Sequence, residues 1–258
     1  RTEMEDGEPA IKRDRPVHSS DMAAEVDREV ADLENTGGDY APPEVVEDLV
    51  GFLTPTTRLD VRREALDIVL GLSAPLDGSA ERCFAGHDFK LGKALCKLCV
   101  DSRADRRQTM TGICNFASVS TVVADFVLQR ATDVIKIAFD SALATADCGE
   151  YGARLLANCS RVFPGETHLR LLAIDAKCLE KLVDRCSSHV GQQLSTTLSY
   201  TLINLATVSR VRKELSRRRE DLEGKSLLHK LYPVLQQSSD EERRRIAADV
   251  CRNCTFDD

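Results

Sequence analysis

The chain has 258 residues, 42% of them apolar and 5% aromatic, with no Trp and a formal charge of −7. No stretch approaches the roughly 20 apolar residues that a membrane-crossing helix needs, and the opening residues do not read as a secretory leader. The charge is lopsided. Residues 1–48 hold 15 acidic and 5 basic residues while the remainder holds 27 and 30, so the body is close to neutral and offers no electrostatic case for nucleic acid.

Residues 1–40 carry many charges and few large apolar groups, too few to offset the entropy of ordering. They are predicted to be an acidic disordered segment with one short helix over 22–33, ending at Gly37-Gly38. Residues 41–258 read as a second region, a helical repeat domain. Pro42-Pro43 leads into a helix over 44–53, where proline and acidic residues suit a first turn. Apolar stripes then follow at helical spacing: Val61, Ala65, Ile68, Leu72; Met110, Ile113, Cys114, Ala117; Tyr151, Leu155, Cys159; Leu194, Leu198, Leu202, Leu205; and Ile246, Val250, Cys254. Further helices are predicted over 88–100, 121–129, 133–143, 175–186 and 226–237, with breaks at Pro75–Gly78, Pro164-Gly165, Gly191 and Gly224. No run alternates as a strand does.

A short pattern recurs through this region: Leu70-Gly71-Leu72-Ser73, Cys114-Asn115-Phe116-Ala117, Ala157-Asn158-Cys159-Ser160, Ile203-Asn204-Leu205-Ala206 and Arg252-Asn253-Cys254-Thr255. Successive second positions are 44, 43, 46 and 49 residues apart. A helical period near 40–47 residues predicts an all-α, armadillo/HEAT-like α-solenoid of about five repeats, with the pattern closing the last helix of each. A compact bundle does not predict this recurrence. Such stacks present a concave surface to other proteins.

Asn115, Asn158, Asn204 and Asn253 are therefore the candidate partner-binding groove. Each directly precedes a stripe residue, which sets its amide at the edge of the apolar face. There it can bond the backbone of an extended peptide or a carbonyl of the adjacent unit. Gly71 leaves the first unit without the amide.

Other motifs have plainer readings. Cys96/Cys99 and Cys251/Cys254 are Cys-x-x-Cys pairs, but i, i+3 cysteines on a helix share one packed face, and 151 residues separate the pairs. Ten cysteines without a secretory signal fit reduced thiols and no metal, in a cytosolic or nuclear compartment. The basic run Arg210, Arg212, Lys213, Arg217, Arg218, Arg219 and the cluster Arg243–Arg245 read as a solvated helix face, with contact to an acidic partner or an import signal as the other uses. No hydrolase, phosphate-loop or dinucleotide pattern occurs, so the sequence predicts no enzyme and no cofactor.

Three segments resemble the HGH family of armadillo-like proteins. Leu49-Val50-Gly51-Phe52-Leu53, Asp60-Val61-Arg62 and Glu64-Ala65-Leu66 through Ser73 look like its opening repeat, although Gly51 stands where the family pattern has Pro. Leu155-Leu156-Ala157-Asn158 resembles a central segment. Arg252-Asn253-Cys254 with Phe256-Asp257 resembles the family's Arg-Asn-Cys-x-Phe-acidic ending. The resemblance covers residues 45–258 and implies a non-catalytic cytosolic chaperone adaptor. Its partners would be translation elongation factor 2, as folding client, and the cytosolic chaperonin, with no nucleic acid or membrane, and further C-terminal helices would follow residue 258. The other adaptor reading is a transport or scaffold protein holding an extended peptide in the concave groove.

Overall fold

A computed structural model describes residues 43–74, 77–144, 148–188, 192–236 and 240–255. The expected acidic segment 1–40 with its helix over 22–33, Gly191 and Phe256-Asp257 lie outside these. Thirteen α-helices follow one another in the described residues, with no strand. They are α1 (Pro43–Phe52), α2 (Leu59–Leu72), α3 (Ser79–Asp101), α4 (Arg106–Val119), α5 (Thr121–Arg130), α6 (Thr132–Ala144), α7 (Gly149–Val162), α8 (Pro164–Ile174), α9 (Cys178–Ser187), α10 (Gln192–Leu205), α11 (Ser209–Ser216), α12 (Tyr232–Leu235) and α13 (Glu241–Thr255).

The expected α-solenoid is what these helices form. An opening pair, α1–α2, is followed by units that each close on a long helix. Those closing helices, α2, α4, α7, α10 and α13, pack one on the next in series. Each carries one copy of the recurring pattern near its C-terminal end, as expected. Met110, Ile113, Cys114 and Ala117 are buried, as are Leu155 and Cys159, Leu198, Leu202 and Leu205, and Ile246, Val250 and Cys254. Packing between neighbouring helices is close. A Cβ on Gly152 of α7 would lie 2.5 Å from the Ala138 carbonyl of α6, so only glycine lets the two backbones approach this far. Phe84, Phe89, Phe116 and Phe126 form an aromatic node joining α3, α4 and α5, with Phe89 stacked on Phe126 at 4.5 Å.

Several expectations need correction. The buried face of α2 is Arg62, Ala65, Leu66 and Val69, whereas Ile68 is 49% exposed and Val61 and Leu72 are only half-buried. The face rotates because Arg62 is drawn inward by Asp105 and by the carbonyls of the 54–57 turn. The helix expected from residue 88 is preceded by a left-handed turn, since His87, Asp88 and Phe89 all have φ near 55° (54°, 55° and 57°). The region 226–237 is not one helix. Leu227–Leu231 is a 3-10 turn, started by Ser226 and His229 capping each other, and α12 adds a single turn around Pro233. The break expected at Pro164-Gly165 falls where α7 ends at Val162 and α8 begins, the proline taking the first turn of α8. Two leading helices, residues 79–85 and α8, are absent from the expected set, and α11 was expected only as a solvated basic helix face without bounds. Each is short, and α11 is mostly polar.

None of the ten cysteines forms a disulfide among the described residues; nine are buried, and Cys251 is half-buried. Burial pushes the thiols of Cys83, Cys99, Cys114, Cys178 and Cys186 up to about 11. Thiolate is the nucleophile, so iodoacetamide at pH 8 is expected to modify Cys251 of the native chain first. The other nine should react only on unfolding, giving ten alkylated sites by mass spectrometry. Early modification of Cys96 or Cys159 would contradict this packing.

Candidate functional site

The candidate groove is the outward face of α2, α4, α7, α10 and α13. All four asparagines are half-buried there. Their amide nitrogens point along the stack to the preceding closing helix. Asn115 Nδ2 donates to Ser73 Oγ at 3.0 Å, and Asn158 Nδ2 to the Cys114 carbonyl at 3.2 Å. Asn204 Nδ2 reaches both the Ala157 carbonyl (3.2 Å) and Ser160 Oγ (3.1 Å), and Asn253 Nδ2 reaches the Ile203 carbonyl at 3.5 Å. The small residue ending the pattern thus supplies the acceptor in two of the rungs. In the first unit Gly71 has no amide to offer, and Ser73 alone receives the next rung.

The four Oδ1 atoms accept no hydrogen bond among the described residues. An amide oxygen is an acceptor with two lone pairs, so each rung keeps one function for the unit before it and one for something else. The structure brings the asparagines into one register. They do not touch one another.

One turn before each pattern position stand Asp67, Thr111, Arg154, Tyr200 and Asp249, at a constant offset of four residues. Three of these, Asp67, Arg154 and Tyr200, are exposed. This row was not singled out from sequence, although its offset from the asparagines was the available signal. Cross-links between adjacent closing helices tie the face together. Gln108 donates to Asp67 at 3.1 Å, Arg161 to the Ser118 carbonyl at 3.2 Å, and the Tyr200 hydroxyl to Glu242 at 2.6 Å. The Glu242 carboxylate raises the Tyr200 hydroxyl above its ordinary range. Arg107 and Arg154 both approach the Tyr151 ring, with guanidinium carbons 6.0 and 5.9 Å from its centre. The face is thus mixed in charge, with an aromatic and arginine-rich middle at α4–α7 and acids at both ends.

The remaining candidates fall elsewhere. Cys96 and Cys99 lie in α3, and Cys251 and Cys254 in α13, two helices that do not pack together. No cluster of metal-binding side chains occurs among the described residues, and no helix there is long and apolar enough to cross a membrane. The cluster Arg243–Arg245 is not a surface patch as a whole. Arg243 is 1% exposed and donates to the carbonyls of Cys186 and Ser188 at 2.6 and 2.5 Å, closing the end of α9. In the run 210–219, Arg219 pairs with Glu180 and Asp221, and Arg217 with Glu214.

No protein-family model matches the chain, and no curated protein sequence is similar to it. Solved structures do resemble it. A designed armadillo repeat protein in complex with the peptide (KR)4 gives a TM-score of 0.62 at 15% identity, covering 91% of this chain and 93% of that one. Computationally designed armadillo repeat proteins for modular peptide recognition give 0.61 at 15% identity, covering 92% and 94%. A further engineered protein gives 0.59 at 18% identity, covering 92% and 93%. The chain has the fold of an armadillo-type repeat protein.

Proposed function

We propose that the chain is a non-catalytic adaptor that holds an extended segment of another protein along the face of α2, α4, α7, α10 and α13. One observation carries this reading: a register of half-buried amides whose nitrogens are engaged by the preceding unit while their oxygens have no partner among the described residues. An extended peptide presents backbone N–H groups at regular intervals, which such oxygens can accept. The mixed polar, aromatic and charged lining suits a polypeptide better than a small molecule, which favours an enclosed apolar pocket. Two designed proteins of the same fold, one set designed for modular peptide recognition and one in complex with the peptide (KR)4, support the same use.

Within that class the resemblance to the HGH family points to translation elongation factor 2 as the client and to the cytosolic chaperonin as the second partner, acting in the cytosol. The test is capture of newly made elongation factor 2 compared with other large nascent chains. The adaptor reading is tested separately by changing Asn158 and Asn204 together to Ala. A net hydrogen bond contributes about 0.5–1.5 kcal/mol, so affinity for a groove-binding peptide is expected to fall by about tenfold. Thermal stability is measured alongside. A fall in stability with affinity per folded molecule unchanged would show that the amides serve only the stack.

A further inference from the structure

One wide concavity among the described residues does not lie on the closing-helix face. It is an open cleft of about 1240 Å³, lined by α8, the start of α9, α11 and the loop after it, and by no residue of α7, α10 or α13. Six cations line it. Arg219 and Arg217 are paired with acids, as above, but Lys177, Arg210, Lys213 and Arg218 form no ion pair among the described residues. All four are exposed. Of the lining acids, Glu180, Glu214 and Asp221 are each already paired, leaving only Glu220. The unpaired charge is therefore four positive against one negative.

Two further features point the same way. α11 starts at the cleft without a side-chain cap, and its first helical bond runs from Arg212 to Val208, so the N–H groups of residues 209–211 have no intrahelical acceptor. A helix start with unbonded amides favours negative charge. His168 of α8 is 4% exposed, lines the cleft and has no hydrogen-bond partner among the described residues. Burial, and then the nearby Arg210, hold its imidazole below the ordinary range, so near neutral pH it keeps one donor and one acceptor. Its ring nitrogens are not among the buried polar atoms left without a partner, so they are reached from the cleft, where a bound peptide can meet them.

We propose that this cleft is a second docking site, distinct from the closing-helix face, for an acidic peptide segment of a partner protein. Carboxylates of that segment meet Lys177, Arg210, Lys213 and Arg218, and the peptide completes the hydrogen bonding of His168. Its size favours a peptide over a single small anion, since drug-sized ligands fill about 300–1,000 Å³. Leu172, Leu179 and Leu227 supply apolar lining between the charges. The surface electrostatics make binding salt-dependent.

The test uses the full chain and three fluorescent decapeptides, one Glu- and Leu-containing, one with Lys in place of Glu and one with Gln. Anisotropy titrations at low salt are expected to favour the acidic probe over both others by at least about tenfold. Arg210→Glu with Lys213→Glu is expected to abolish that preference, and Lys177→Glu with Arg218→Glu provides an independent pair. These side chains are exposed and unpaired, so thermal melts should be unchanged. The Asn158→Ala, Asn204→Ala variant should bind the acidic probe normally, which separates this site from the adaptor face. Equal binding of the three probes, or unchanged affinity in both charge-reversed variants, would overturn the proposal. So would loss of acidic-probe binding in the asparagine variant alone.

Discussion

Replacing Arg62 by alanine is expected to lower the stability of the chain by about 3–5 kcal/mol, a large share of what a domain of this size possesses. The side chain is 8% exposed, and its Nε donates to Asp105 Oδ2 at 2.7 Å. Its Nη1 meanwhile reaches the carbonyls of Thr54, Pro55 and Thr57, so one guanidinium fastens the α1–α2 turn and ties it to the head of α4. Asp105 is fully buried, and among the described residues its carboxylate accepts one other bond, from Ser102. Truncating Arg62 strands that carboxylate without a counter-charge, which is the costly event; the pair itself contributes much less. The Arg62→Met, Asp105→Leu double variant should therefore recover a good part of the loss, and Arg62→Lys should recover little, because an ammonium cannot span the same acceptors. Urea denaturation of the four proteins reads this directly. A loss under about 1 kcal/mol for Arg62→Ala would mean that the pair is solvated, and that α2 buries Val61, Ile68 and Leu72 after all.

That same residue explains where the sequence stops being legible. The recurrence was visible because Asn, a stripe residue and a small residue repeat at a spacing that stacked helices produce, and the structure uses all three: the amide for the preceding unit, the stripe for the core, and in two rungs the small residue as acceptor. Arg62 and Arg243 were not visible. A guanidinium reads as solvent-facing unless its acceptors are known, and here they include an acid 43 residues from Arg62 and carbonyls 55 and 57 residues from Arg243. Placing Arg62 outside rotated the expected face of α2 by one position. α11 read only as a basic helix face, without a buried side, for a related reason. With eight residues and only Val211 and Leu215 buried, it has too short an apolar stripe to stand out from a basic run. The cleft it lines depends on which of those cations lose their partners to folding, and pairing across units is tertiary information.

Leu155→Ala and Leu202→Ala are each expected to cost about 2–5 kcal/mol, from lost transfer energy and from the cavities left behind. Both side chains are essentially inaccessible, at 0% and 1% exposure. Their consequences should differ in place. α7 is the middle closing helix and packs on α4, α6 and α10, whereas α10 is followed only by α13 in the series. In a stack whose units touch only their neighbours, local damage spreads by the adjoining interfaces rather than through one common core. Leu202→Ala should therefore raise amide hydrogen exchange across α8–α13 and leave α2–α4 protected near the parent level. Leu155→Ala removes a contact at the centre of the series and should loosen both halves, with a denaturation curve that departs from two-state form. Exchange rising equally along the whole chain in both variants would show a single cooperative core and would count against nearest-neighbour coupling. Unchanged midpoints in both would count against the burial itself.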